Sequence, residues 1–574
     1  MTRLWNDPAD FADEMVDGFV RAHGRWVRKV TGGVARSTQS ADPTVSLVIG
    51  GGSGHYPAFA GLVGPGLAHG AAMGNLFASP SAHQVESVAR AADQGRGILF
   101  SYGNYAGDVL HFNAAQDALR EAGIDCRTVT VTDDIFSAKP NEREKRRGIA
   151  GDLTVFKTAG AAAASGFPLD DVERIARTAN DRTRSMGVAF TGCTLPGADE
   201  PLFTVPEGRM AIGLGIHGEP GIDETDIPTA NELAELFVSR LLDDAEIPEN
   251  VTVDGARVVP ILNGLGSVKS EELFVVYARI AELLDERGLT VVDPQVGEFC
   301  TSFDMAGASL TLFWLDDELE QLWSAPADTP AYRTGNVDST ALTTVTTEDA
   351  AESDELPDAD EASADVAARI AELLAVVRDV VDENVAELGR IDAIAGDGDH
   401  GIGMQRGTVA AAGTAASLAE KRAGAASLLA RSGDAWSDRA GGTSGALWGV
   451  ILRTIGDHLG DAGRPDAATI SAGVSHAARA VMDYGKAAVG DKTMVDALVP
   501  FAEELHRAVD AGSTLTEAWT DAARAATEAA EATADLLPAM GRARSHGEKA
   551  LGVRDPGAVS FALITTRIAA ELGR

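Results

Sequence analysis

The chain reads as an α/β region followed by an all-helical one. Three observations carry that reading. Short apolar runs alternate with helical stretches as far as Pro326, a polar acidic segment follows, and the remainder is rich in Ala, Leu and Arg at helical spacing with hardly a strand-like run. At 574 residues the chain is too long for one core. We place the α/β region at 1–328, an acidic linker at 329–365 and the helical domain at 366–574.

Residues 8–22 read as a first helix, because Pro8 suits a first turn after Asp7 and Phe11, Met15 and Phe19 recur on one face. Val45–Ile49 is a short strand running into Gly50-Gly51-Gly52-Ser53-Gly54-His55, a loop with almost no side chains that lets backbone amides approach a small polar ligand. Further strands are expected at Ile98–Ser101, Cys126–Val131, Val188–Thr191, Met210–Ile212, Val258–Leu262 and Leu289–Val292, with helices such as Ser81–Ala92, Phe156–Ala164 and Glu232–Leu242 between them. Polar, glycine-rich loops end several strands: Gly103–Asp108, Asp133-Asp134, Gly213–Gly221 and Asn263–Gly266. Ligands of α/β sheets sit at such carboxyl ends. The segment from Pro326 to Asp365 has many Thr, Ser, Asp and Glu and no Lys or Arg after Arg333, so it reads as an extended, self-repelling tether.

The formal charge of -38 argues against nucleic acid or an anionic membrane surface as a partner. Cys126, Cys193 and Cys300 are far apart and form no C-x-x-C, which argues against a disulfide framework or a zinc site. Asp7, Asp10, Asp13 and Glu14 stand where a secretory peptide needs an apolar core, and no apolar run reaches membrane-spanning length, so a soluble protein of the reducing cytoplasm is expected.

In the helical part, Asp392, Asp397 and Asp399 are interrupted by glycines, with four glycines within twelve residues and His400 beside them. That spacing cannot lie on one regular helix. It suits a tight loop that converges oxygen ligands on a hard cation, magnesium rather than zinc. An EF-hand is excluded, since Ile402 stands where Gly is needed and Thr408 where Glu is needed. Gly213-Leu214-Gly215-Ile216-His217-Gly218 matches the dinucleotide fingerprint literally, but Glu219-Pro220-Gly221 follows where that fold needs a helix. His217 in this turn reads equally as a nucleophile or hydrogen-bond donor and as a structural His. No G-x-x-x-x-G-K-[ST] occurs, since Gly485-Lys486 is followed by Ala487, and no H-R-D or D-F-G set appears. Gly441–Gly445 is a second loop suited to phosphate oxygens, with weaker loop signals at Gly490–Met494, Gly541-Arg542 and Asp555-Pro556-Gly557.

Together these motifs resemble the dihydroxyacetone kinase family, in the single-chain form that fuses a ketose-binding domain to a helical nucleotide-binding domain. Gly50–His55, Gly107-Asp108, Arg146–Gly151 and Gly213–Gly221 resemble motifs of the first domain; Asp392–Met404, Gly441–Gly445, Gly490–Asp496 and Asp555–Gly557 resemble those of the second. The resemblance implies an α/β region of two subdomains, a barrel of antiparallel helices and a homodimer through the first domain. It implies that His217 adds to the ketose carbonyl as a hemiaminal, that Asp108 is the base for the attacking hydroxyl, and that His55 hydrogen-bonds the substrate, with Gly52, Ser53, Gly54, Tyr56 and Gly103 lining its site. Asp392, Asp397 and Asp399 would hold magnesium on ATP. The nucleotide contacts would fall on His400, Gly401, Ile402, Gly403, Gly442, Thr443, Ser444, Gly485, Thr493, Met494, Arg542, Asp555, Pro556 and Gly557. Tyr56 stands where the family commonly has Glu, and Gly103 where it commonly has a substrate-facing Lys. Loss of that Lys is read as opening room for one more carbon, so a four-carbon ketose such as erythrulose joins dihydroxyacetone as an expected substrate. A flavin-nucleotide-cyclising lyase and a non-catalytic ketose sensor are the alternatives the resemblance leaves.

Overall fold

The structure is a computed structural model that describes residues 4–573 apart from 220, 244, 245, 339, 341, 346–355, 396, 397 and 541–549. The chain divides into two compact units, Met1–Thr347 and Glu348–Arg574.

The first unit opens with α1 (Phe11–His23), β1 (Val27–Val30), β2 (Gly33–Arg36), β3 (Thr38–Ser40), β4 (Thr44–Ser53), β5 (Gly70–Leu76), α2 (Ala82–Ala92), β6 (Gly95–Gly103), α3 (Ala106–Glu121), β7 (Cys126–Val131), α4 (Asp152–Ala164) and α5 (Leu169–Asp181). Six of these strands form a sheet in the order β1-β2-β5-β4-β6-β7, whose last four members, β5, β4, β6 and β7, run parallel. Every residue of β4 is buried. A parallel strand covered on both faces has no solvated side to alternate toward, which is why Val45–Ile49 is apolar but for Ser46, whose buried hydroxyl donates to the Ala92 carbonyl. α2 and α3 cover one face with Val48, Phe100 and Phe112 between them, while α4 and α5 cover the other.

A second sheet follows from β8 (Thr183–Ala189), β9 (Arg209–Ile212), β10 (Asp223–Asp226), α6 (Ala230–Leu241), β11 (Arg257–Gly264), α7 (Ser270–Glu286), β12 (Thr290–Val291), β13 (Gln295–Gly297), β14 (Gly307–Leu315) and α8 (Asp317–Trp323). Its order is β10-β9-β8-β14-β11-β12, with β13 also on β11, and most pairs are antiparallel. α6 and α7 pack on one face through Phe237, Ile280 and Trp314. On the other face Val259, Ile261 and Phe313 join the core that also holds Phe156 and Val155 of α4, so α4 is buried nearly throughout. Short pairs close the unit: β15 (Ala327–Asp328) with β16 (Arg333–Thr334), and β17 (Leu342–Thr344) with β3.

The second unit contains α9 (Glu361–Asp382), α10 (Val385–Ala395), α11 (His400–Glu420), α12 (Ala425–Ala440), α13 (Gly442–Leu459), α14 (Ala467–Gly485), α15 (Val495–Asp510), α16 (Leu515–Ala532) and α17 (Pro556–Leu572). α9 and α11 through α17 each pack on the next, and α17 returns to α9, which closes a ring of antiparallel helices. Aromatic side chains fill its middle: Trp436 stacks on Trp448 at 4.7 Å, and Trp448 on Phe561 at 5.8 Å. α12 and α13 approach backbone to backbone, because a Cβ on Gly433 would sit 3.0 Å from the Gly449 carbonyl.

Several expectations are corrected. The strand after Asp42 does not stop at Ile49 but runs through Gly50–Ser53, and Gly50, Gly51 and Gly52 each pack closely on a neighbour. A Cβ there would meet the Ala72 carbonyl at 2.4 Å, the Phe59 ring at 2.5 Å and the Ala78 N at 2.8 Å. Gly103–Asp108 is not all loop, since α3 begins at Ala106 and takes Gly107 and Asp108 into its first turn. The strand expected at Val188–Thr191 spans Thr183–Ala189, because its polar Thr183-Arg184-Ser185 start is buried and paired with β14. Helix 8–22 starts instead at Phe11, after a turn in which Asp7 accepts from the Ala9 N–H. The expected linker 329–365 is shorter at both ends. Thr329 and Tyr332 are buried in the first unit, β17 pairs there, and α9 is under way from Glu361 with Asp360 capping it. Its middle, 346–355, lies outside the described residues.

Candidate active site

The parallel strands of the first sheet deliver their carboxyl ends to one place. β4 ends at Ser53, followed by Gly54 and His55; β6 ends at Gly103 and hands over to Asp108; β7 is followed by Asp133 and Asp134. Gly54 has φ +105 and its Cβ position is 2.7 Å from the Phe77 ring, so only glycine makes this corner. The loop of 213–221 between β9 and β10 brings His217 to the same place. It returns directly into the antiparallel β10, so no helix follows and the fingerprint-like spacing binds no dinucleotide in the usual manner.

His55 and His217 meet edge to face with Nε2 atoms 3.0 Å apart. The His55 Nδ1–H donates to the Thr301 carbonyl at 2.7 Å, which leaves a lone pair on its Nε2. Burial, and the neighbouring His217, push the His55 pKa down to about 3, so His55 is neutral. On the far side of His217, Nδ1 lies 3.2 Å from Glu219 Oε1, and the His217 backbone N–H donates to Oε2 at 3.1 Å. Burial alone would raise the Glu219 carboxyl, but His217 and Arg147 outweigh it and hold it well below the usual carboxylate range. Glu219 is therefore an anion that only accepts. The hydrogen-bond network then assigns both ring protons to His217, its Nδ1–H donated to Glu219 and its Nε2–H to His55. Arg147 continues the chain, 3.6 Å from Glu219 and donating to Asp134 at 2.8 Å. Phe77 stacks on His55 at 4.9 Å, and Tyr105 stands edge-on to His217 at 4.6 Å with its hydroxyl donating to the Gly148 carbonyl.

Asp108 is buried in the first turn of α3, and its charge is felt by Tyr102 and Asp152. Ser53 spends its hydroxyl on the Gly74 carbonyl at 2.6 Å, and Gly52 is closed off by Phe77 and Ala78. Tyr56 is 46% exposed and stands edge to face with Phe19 of α1 at 6.0 Å. The room expected at Gly103 is not vacant, because the Tyr105 ring stands 3.0 Å from where a Cβ would be. Arg146 of the Arg146–Gly151 motif is fully buried and forks onto Glu246 at 2.7 and 2.8 Å, a structural clamp. The sequence reading missed Glu219, Arg147, Tyr105, Phe77 and Thr301. Glu219 carried a usable signal, a carboxylate two residues from the His in the same turn.

In the helical unit the marked residues gather at one end of the ring. His400–Gly403 form the first turn of α11, Gly442–Ser444 that of α13, Thr493-Met494 precede α15, and Asp555-Pro556-Gly557 start α17; Gly485 ends α14, which runs the opposite way. Four helix N-termini at one mouth present positive dipole ends, which suits a polyphosphate. His400 ties the mouth together, its Nε2 3.0 Å from Ser560 Oγ and its Nδ1 3.2 Å from Ser444 Oγ. Burial lowers its pKa below the ordinary value. Ile402 faces outward, half exposed. Asp392, on α10, accepts from the His400 N–H at 3.0 Å, and Asp399 precedes α11. Loss of hydration and the Asp392 charge push Asp399 up to about 7; since Asp399 is exposed as a residue, the like charge is the weightier physical cause. A divalent cation between two crowded carboxylates relieves that repulsion, so the pair fits a magnesium site. Asp397 and Arg542 lie outside the described residues, and no group of three metal-binding side chains occurs among the described ones. Lys492, also missed, is buried and donates to the carbonyls of Leu536, Ala550 and Val553 at 3.1, 2.8 and 2.7 Å.

Comparison with known proteins bears on both units. The Dak1 domain family matches residues 17–331 and the DAK2 domain family residues 394–570. The chain is 58% identical to an L-erythrulose kinase of Pectobacterium atrosepticum, over 100% of this chain and 97% of that one. It is 52% identical to a D-erythrulose kinase of Mycolicibacterium smegmatis, over 99% of this chain and 98% of that one. Among solved structures it resembles a dihydroxyacetone kinase of C. freundii in complex with AMP-PNP and Mg2+, at 28% identity and TM-score 0.52 over 99% of both chains.

Proposed function

The chain belongs to the dihydroxyacetone kinase family in its single-chain form, and from that premise we propose an ATP-dependent ketose kinase that takes erythrulose and captures it on His217. The observation that carries the covalent step is the line Glu219–His217–His55. As a ketose approaches, the His217 Nε2 proton passes to the free lone pair of His55 Nε2, 3.0 Å away. The Nε2 lone pair so exposed bonds to the carbonyl carbon, the C=O π pair moves to oxygen, and the alkoxide takes the proton back from His55 to give a neutral hemiaminal hydroxyl. Glu219 keeps Nδ1 protonated and fixes which nitrogen attacks. A polyol such as glycerol has no carbonyl to accept the bond, so this step selects ketoses.

Asp108 is the base that takes the proton of the terminal hydroxyl as it attacks the γ-phosphorus. Its place in the first turn of α3 fixes it against the sheet edge. The phosphates belong at the mouth formed by the first turns of α11, α13, α15 and α17. Asp392 and Asp399, with Asp397, would hold magnesium, which supplies charge neutralisation on the nucleotide phosphates. A four-carbon substrate is supported by erythrulose kinases being relatives at 52–58% identity over nearly the whole chain. A homodimer through the first unit and a cytoplasmic location belong to the same proposal; light scattering of the purified protein and fractionation test them. No helix among the described residues is long and apolar enough to cross a membrane.

The function is tested by coupled ADP release with dihydroxyacetone, both erythrulose enantiomers, five-carbon ketoses and glycerol. The expected order is one erythrulose enantiomer above dihydroxyacetone, with glycerol inert. A clear preference for dihydroxyacetone removes the four-carbon assignment, and ADP release independent of any ketose removes the kinase.

A further inference from the structure

At the amino end of α4, between the ends of β6 and β7, stands a buried carboxyl that the reaction above does not use. Asp152 is only 3% exposed, and its Oδ1 has no hydrogen-bond partner among the described residues. Leaving a buried polar atom unmet costs about 1–3 kcal/mol, so a native structure rarely does so without a reason. Its neighbour Asp133 shows the contrast, with Oδ1 accepting from Ile149 N–H and Oδ2 from Gly151 N–H, both at 2.9 Å. Asp133 braces the turn into α4; Asp152 braces nothing.

Its surroundings lead toward the proposed ketose site. A Cβ on Gly148 would meet Gly103 Cα at 2.5 Å and Asp152 Oδ1 at 2.8 Å, so the backbone of Gly148 has Gly103 and the free oxygen as close neighbours. Gly103 is where the Tyr105 ring packs, and Tyr105 touches His217. The Asp152 charge is also felt at Cys300, next to the Thr301 carbonyl that holds His55. We propose that Asp152 is the specificity residue of the ketose site, its Oδ1 hydrogen-bonding the C4 hydroxyl of a four-carbon ketose captured on His217. Burial and the nearby charges of Asp133 and Asp108 hold its carboxyl well above the ordinary range. In its protonated form this carboxyl donates as well as accepts.

The inference rests on the ketose-kinase reading, and its test separates the two. Capture of erythrulose, 4-deoxyerythrulose and dihydroxyacetone is measured as apparent Kd without ATP, on wild type, Asp152→Ala and Asp152→Asn, together with Tm. Wild type should prefer erythrulose over its 4-deoxy analogue by about tenfold, the worth of one hydrogen bond to a buried group. Asp152→Ala should erase that ratio, and Asp152→Asn, which keeps a donor and an acceptor, should retain most of it. A role confined to starting α4 would change Tm and leave the ratio alone. Equal binding of erythrulose and the 4-deoxy ketose by wild type overturns the inference even if the Ala variant does not fold, as does an unchanged ratio in a folded variant. Capture of no ketose by wild type, with no ketose-dependent ADP release, overturns the kinase reading and the inference with it.

Discussion

Glu219 sets the chemistry of His217 by fixing one of its two ring nitrogens. Glu219→Gln keeps the shape but removes the charge that holds a proton on Nδ1, so kcat/KM for the ketose should fall about 10²-fold with Tm almost unchanged, checked by steady-state kinetics beside thermal unfolding. His55 makes a pH-dependent contribution whose sign follows from its depressed pKa. Between about 6.5 and about 3 the unfolded chain binds a proton on His55 that the folded chain does not. Stability from this group is therefore fully present above pH 6.5 and is lost as the pH falls toward 3, at up to about 1.4 kcal/mol per pH unit. Unfolding of the first unit in denaturant at pH 7, 5.5 and 4.5 should fall more steeply for wild type than for His55→Asn; parallel losses would contradict the neutral, buried His55. The residues proposed to act on the carbonyl stand out in the sequence because His and Asp in glycine-rich strand ends are chemically conspicuous. Their holders were not. Arg147, Thr301 and Tyr105 come from segments far apart in the chain, and only the packing of two sheets on α4 brings them to His217.

At the scale of elements, the ring of helices depends on how its mouth is closed. Lys492 reaches three carbonyls around the connection from α16 to α17. Lys492→Met should leave them unmet and lower the stability of the second unit by about 2–4 kcal/mol, seen as a lower unfolding transition for that unit with the first unit's transition in place. Elements whose burial matched their apolar pattern were legible to the residue, Cys126–Val131 among them. β8 was misplaced because buried Thr183 and Ser185 satisfy their hydroxyls internally, on Ala179 and Thr311, and so look exposed in sequence. The run Gly50–Gly52 was assigned to ligand approach because sequence cannot tell a glycine kept for a ligand from one kept for a neighbouring strand or ring.

At the scale of the molecule, the proposed function divides two tasks between two units. Asp392→Asn with Asp399→Asn should abolish ATP turnover, through loss of the magnesium carboxylates, while ketose capture by the first unit stays at its wild-type Kd; calorimetry with ketose alone and ADP release with both substrates check this pair. Loss of capture in that double variant would mean the tasks are not divided as proposed. The division itself was visible as a change of composition near Pro326, but its boundary was not, because the Thr- and Asp-rich stretch hides a strand that pairs back onto β3. The central claim is that His217 bonds covalently to the ketose. Carbon-13 NMR of erythrulose labelled at C2, bound to the protein without ATP, tests it most directly. The carbonyl resonance should give way to that of a tetrahedral carbon in wild type and persist in His217→Ala; a bound ketose that keeps its carbonyl resonance in wild type would contradict the account.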